Sequence, residues 1–151
     1  MKLAEALLLR ADLKRRVESL SQRLQQNIVV QEGMEPAMDP SELLAQLDST
    51  YSEYQKLVGR INETNQQVKL ESGDSLMEGL VKRETLTDKR QKLMLFVSTG
   101  SNLTRRYNST DILNVVTIDI AGLNREVDDL SKQIREVDTA IQQANWLHDL
   151  I

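Results

Sequence analysis

Between Ile120 and Ala144 the apolar residues fall at Ile120, Leu123, Val127, Leu130, Ile134, Val137, Ile141 and Ala144, in steps that alternate three and four. Held without a miss over about seven helical turns, the pattern describes a helix with one narrow apolar stripe. Such a stripe is buried by packing it along other helices. The residues between, Arg125, Glu126, Asp128, Asp129, Lys132, Arg135, Glu136 and Asp138, form a face left to water.

Three earlier segments carry related patterns. The first, 3–27, places Leu3, Ala6, Arg10, Leu13, Val17, Leu20 and Leu24 on one stripe. Leu7, Leu8 and Leu9 widen its apolar face near the start, as if for more than one neighbour. The second, 40–70, opens with Asp39-Pro40-Ser41-Glu42, a cap carboxylate, a proline in the first turn and a glutamate three after the cap. Its stripe reads Leu44, Leu47, Tyr51, Tyr54, Val58, Ile61, Asn65, Val68, and Gly73-Asp74 marks the turn that follows. The third, 75–106, begins with a Ser75/Glu78 capping box and runs Leu76, Leu80, Leu86, Leu93, Val97. Arg83 and Arg90 fall between those positions, and Met94, Leu95 and Phe96 broaden the later part. Asp119 is placed to cap the fourth, 120–147.

With only 3 % aromatic residues, the composition suits thin helix-on-helix seams better than a thick core built around rings. The reading is an all-α chain: an antiparallel four-helix bundle or coiled-coil hairpins, in one domain over 1–151. Two β-branched runs, Ile28–Val30 and Ile112–Ile118, would become neighbours at one pole if the helices alternate in direction. A short two-stranded ribbon is the option there.

Charge and composition narrow the function classes. A net charge of −4 opposes long-range attraction to a polyanion. The basic clusters at Lys14–Arg16, Lys89–Arg90 with Lys92, and Arg105–Arg106 are short and lack interleaved aromatics. No nucleic-acid partner is expected. The chain has no cysteine, hence no disulfide or thiolate site. Glu5 and Arg10 interrupt the leucines near the start, so neither a signal peptide nor a membrane span is expected, and the default location is the cytoplasm. The only histidine, His148, stands on a terminal segment that would fray, which disfavours a Ser-His-Asp arrangement. No metal, cofactor or catalytic residue is expected, and the chain reads as no enzyme.

One constellation remains. In an up-down-up-down bundle, Arg10, Asn62, Asn65, Arg83, Glu84, Asn145 and Trp146 gather at one pole. Polar groups buried on a seam must find hydrogen bonds or cost a few kcal/mol each. Such a layer either fixes register and partner choice or forms a pocket under Trp146, with Arg10 and Arg83 holding an anion or small metabolite.

The opening Met1–Leu13, the stretch Arg60-Ile61-Asn62-Glu63-Thr64-Asn65 and the closing Asn145-Trp146 resemble the septicolysin-like family of small bacterial helical proteins. The resemblance implies an all-helical bacterial protein and supplies no catalytic motif. The function expected from the residues is a self-associating structural or interaction module, its partner a second copy in a dimer or larger homo-oligomer. The alternatives are a small-molecule or anion binder using the polar pole, and, behind it, a membrane-active cytolysin.

Overall fold

The computed structural model describes residues 1–102 and 114–151. It contains four helices, α1 (Leu3–Asn27), α2 (Pro40–Gln67), α3 (Leu76–Ser101) and α4 (Ile120–Leu147). The all-α expectation holds, with α2 stopping at Gln67 rather than 70.

The expected caps are in place. The Asp39 carboxylate accepts from the Ser41 amide at 2.9 Å. Ser75 and Glu78 exchange reciprocal bonds. Asp119 accepts from the Gly122 amide at 3.0 Å. Each satisfies amides that the first helical turn leaves without partners.

No strand occurs among the described residues, which corrects the ribbon. Ile28–Val30 and 114–118 lie in connections without strand pairing, their β-branched side chains turned to solvent. Ile112, at the start of the second run, lies outside the described residues. The α1–α2 connection is held by a side chain instead. Buried Asn27 donates to the Arg23 carbonyl and accepts from the Met38 amide at 2.9 Å, closing the loop as a strand ladder would have done.

The chain divides into two compact units, Met1–Lys69 with Gln142–Ile151, and Leu70–Ile141. In the first, α1 and α2 pack against each other. They are antiparallel: the start of α1 and the last turns of α2 both bond to the same C-terminal segment. Along α1 the expected stripe faces inward, with Leu3, Ala6, Leu13 and Leu20 buried and Arg10, Val17 and Leu24 half-buried; Leu8 and Leu9 are exposed.

On α2 the buried stripe departs from the expected one in its first half. Leu43, Thr50 and Leu57 are buried, whereas Leu44 is 48 % and Tyr51 51 % exposed; further on, Ile61, Asn65 and Val68 are buried as spaced, with Thr64 beside them in sequence. Both threonines have a partner inside the helix. The Thr50 hydroxyl donates to the Gln46 carbonyl at 2.7 Å and the Thr64 hydroxyl to the Arg60 carbonyl at 2.8 Å. With its donor satisfied inside the helix, each threonine buries as a small β-branched residue would. The bulkier tyrosine keeps its hydroxyl in water.

In the second unit α3 and α4 also run antiparallel. Gly79 lies beside Ile141, Arg83 pairs with Asp138, Lys89 with Glu126, and Gly100 lies beside Ile120, so partners descend α4 as α3 ascends. A Cβ on Gly79 would meet the Leu70 side chain, and one on Gly100 would meet Ile120. The glycines therefore mark close approaches at the two ends of the pair.

The α2 register is testable with two leucines. Leu57→Ala should lower stability by about 2–4 kcal/mol, and Leu44→Ala by less than about 1 kcal/mol, in urea unfolding. A larger loss at Leu44 would restore the sequence-derived stripe.

Candidate functional site

The residues expected at one pole divide between the units. Arg10, Asn62, Asn65, Asn145 and Trp146 belong to the first; Arg83 and Glu84 belong to the second. Arg83 is already matched within its own hairpin, its guanidinium 2.5 Å from the Asp138 carboxylate. Both side chains are more than a third exposed, so the pair contributes at most about 1 kcal/mol. Glu84 and Asn62 are exposed, and Arg10 is half-buried. Trp146 is 58 % exposed. Asn65 and Asn145 are each only 7 % exposed. Neither makes a side-chain hydrogen bond among the described residues, and both amides keep some solvent contact.

The first unit is organised instead by a clasp between the ends of the chain. The Leu3 amide donates to the His148 carbonyl at 3.0 Å and the Leu150 amide to the Met1 carbonyl at 2.8 Å. These form an isolated antiparallel bridge of Lys2 with Asp149. The Lys2 ammonium adds a bond to the Leu147 carbonyl and an ion pair with Asp149. From α2, the Arg60 Nε–H donates to the Ile151 carbonyl at 2.6 Å, and the Thr64 hydroxyl oxygen accepts from the Ile151 amide at 3.1 Å. Thr64 is fully buried and thus does two jobs, capping its own helix carbonyl and receiving the last residue. Leu150 is buried beside it. The segment from His148 to Ile151, expected to fray, is tied at four residues. The imidazole itself is exposed, with only the His148 main chain used.

The second unit is dominated by incompletely covered apolar surface. Of the α4 seam within this unit only Leu130 and Ile141 are buried; Ile120, Leu123, Val127, Ile134 and Val137 are half-buried. On α3 only Leu76 and Gly79 are buried. Val81, Met94, Leu95 and Phe96 are exposed. At the last turns of α3, Phe96 and Gly100 with Val116 and Ile118 line an apolar groove of about 370 Å³.

The α3 seam was only half visible in sequence. Its inward positions are Leu76, Gly79, Arg83, Leu86, Arg90, Leu93, Val97 and Gly100, again in alternating threes and fours. Two glycines and two arginines hide that stripe from a hydrophobicity count. Arg90 is the residue that sequence reasoning left out of the site. Its Nε–H is sealed from solvent and has no hydrogen-bond partner among the described residues. The spacing from Arg83, seven residues earlier on the same stripe, was the available signal.

This arrangement defines an all-α protein of two antiparallel helical hairpins. No three His, Asp or Glu side chains among the described residues are grouped to hold a metal ion. No described helix is long and apolar enough to cross a membrane. The chain belongs to the family of unknown function DUF6847, whose model matches residues 10–150. That finding overturns the septicolysin-like resemblance. The segments that carried it, the start of α1 and the ends of α2 and α4, all lie in the unit closed by the clasp. No curated protein matches. Among solved structures, a functionally unknown conserved protein from Corynebacterium diphtheriae is similar over 100 % of this chain and 99 % of its own. It is 34 % identical with a TM-score of 0.92.

The clasp yields a direct expectation. Thr64→Val, which removes the acceptor for the Ile151 amide, should cost about 1 kcal/mol and speed hydrogen exchange at Leu150 and Ile151. Unchanged exchange at both amides would contradict the clasp.

Proposed function

We propose that this protein is a non-catalytic interaction module that self-associates through the α3/α4 hairpin. The observation that carries the reading is the half-buried seam of that hairpin. A heptad stripe as regular as Ile120–Ile141 is a costly sequence to leave wet, because each incompletely covered Leu, Ile or Val forgoes part of the ~1.5–3 kcal/mol that full burial supplies. The α1/α2 pair has no comparable deficit along α1, where the same spacing is filled by buried Leu3, Leu13 and Leu20. Exposed Met94, Leu95 and Phe96 extend the uncovered surface toward one end of α3.

Residue chemistry supports a binding rather than a catalytic role. Three of the five carboxylates of α4 are ion-paired, Asp138 with Arg83, Glu126 with Lys89 and Glu136 with Lys132. Such pairs stabilise modestly and set register. The partner that fits a long, shallow, apolar stripe flanked by charge is another helical surface, and the simplest source is a second copy.

Sedimentation equilibrium tests this. The weight-average mass should rise with concentration through the micromolar range toward twice the 17.2 kDa of one chain. Replacing Leu93 and Val127 by serine should weaken association at least about tenfold, equivalent to 1.4 kcal/mol. Strict monomers at every concentration would overturn the reading.

A further inference from the structure

The two hairpins of a self-associated pair have a definite arrangement. We infer that two copies join about a two-fold axis so that α3 of each lies against α4 of the other, with Arg90 ion-paired to a carboxylate of the second copy's α4. This rests on the self-association proposed above.

Charge distribution is the first argument. From Leu76 to Ser101, α3 carries five Lys or Arg (Lys82, Arg83, Lys89, Arg90, Lys92) against three acids. From Ile120 to Leu147, α4 carries three Lys or Arg against five acids (Glu126, Asp128, Asp129, Glu136, Asp138). Within one copy the two helices already meet basic side to acidic side, through Arg83–Asp138 and Lys89–Glu126. A four-helix ring that alternates α3 and α4 repeats that match at every neighbouring contact. Placing α3 on α3 and α4 on α4 would instead oppose like charges. Flanking charges of this kind choose partners and orientation in helical assemblies. Lys82 and Arg90 on α3, and Asp128 and Asp129 on α4, make no ion pair among the described residues and are left for this contact.

Arg90 is the second argument. The contacts at Gly79–Ile141 and Gly100–Ile120 set the hairpin register and bring Arg90 level with buried Leu130, at the middle of the seam. A guanidinium whose Nε–H is sealed away without an acceptor is costly. Arg83, one heptad earlier, has the carboxylate that its neighbour lacks. A second acidic helix laid over the half-buried stripe supplies one to the terminal guanidinium nitrogens, which unlike the Nε–H stay open to solvent. Area agrees: helices of this length and width present together a face of roughly 700 Å², close to the ~800 Å² per partner of a standard stable interface.

Charge exchange separates the possibilities. Lys82→Glu, Lys92→Glu, Asp128→Lys and Asp129→Lys made together in one version of the protein exchange the net charges of α3 and α4. Contact of α3 with α4 stays attractive in that version, so it should self-associate as the original does. In an equimolar mixture with the original, homodimers should exceed heterodimers at least tenfold, read by native mass spectrometry. Arg90→Leu should keep its helical circular dichroism and lose at least tenfold in dimer affinity. If the original protein dimerises but the mixture is statistical or prefers heterodimers, as contact of α3 with α3 requires, the α3-to-α4 arrangement is wrong while self-association stands. If Arg90→Leu dimerises as well as the original and melts higher, Arg90 is a misfit of the hairpin and its intermolecular pair is refuted. If the original protein never associates, the reading beneath both proposals falls with them.

Discussion

Two helices side by side can bury only the stripes that face each other. That constraint governs both halves of this chain, and each half answers it differently. In the first unit the α1/α2 pair gains extra cover from the terminal clasp: Leu150 is buried, and the backbone around Met1–Leu3 bonds to His148–Leu150. Thr50 and Thr64 help from within, because a hydroxyl returned to the carbonyl four residues back lets a polar residue be buried without an unpaired donor. Among the described residues of the second unit no such cover is present along α3 and α4. Their seams stay half open, and the chain carries an apolar surface that a hairpin alone does not finish.

Much of the fold was legible because helix periodicity and caps are local. Asp39, Ser75 and Asp119 mark starts, and each makes the bond that its residue type suggests. The stripe of α1 points inward as spaced. What the sequence hid is also physical. On α2, Leu44 and Tyr51 look like better seam residues than Leu43 and Thr50, because hydrophobicity alone cannot see that a threonine hydroxyl is satisfied within its own helix. On α3, Gly79 and Gly100 serve by lacking a side chain where α3 passes close to Leu70 and Ile120, so they add nothing to an apolar count. β-Branched content suggested a ribbon in the connections, but Asn27 closes one of them with side-chain bonds.

The candidate site was less legible than the fold. Seam polarity drew attention to Arg83 and Asn65, yet it could not say which partner each would find. Arg83 finds Asp138 in its own hairpin. Trp146, read as a roof, is turned outward. Arg90 was noticed as an interruption of a stripe and not as part of one, although its distance from Arg83 is a full heptad. Membership of DUF6847 and the close likeness to the Corynebacterium diphtheriae protein establish the fold over nearly the whole length. What marks the chain beyond its fold is the half-covered α3/α4 seam.

The most direct test of that claim is amide hydrogen exchange followed by mass spectrometry at several protein concentrations. Protection across 80–97 and 123–137 should rise with concentration, while the α1/α2 pair exchanges at a constant rate. Exchange in the α3/α4 hairpin that is independent of concentration would contradict the account, leaving its half-buried seam as a permanent feature of a single chain.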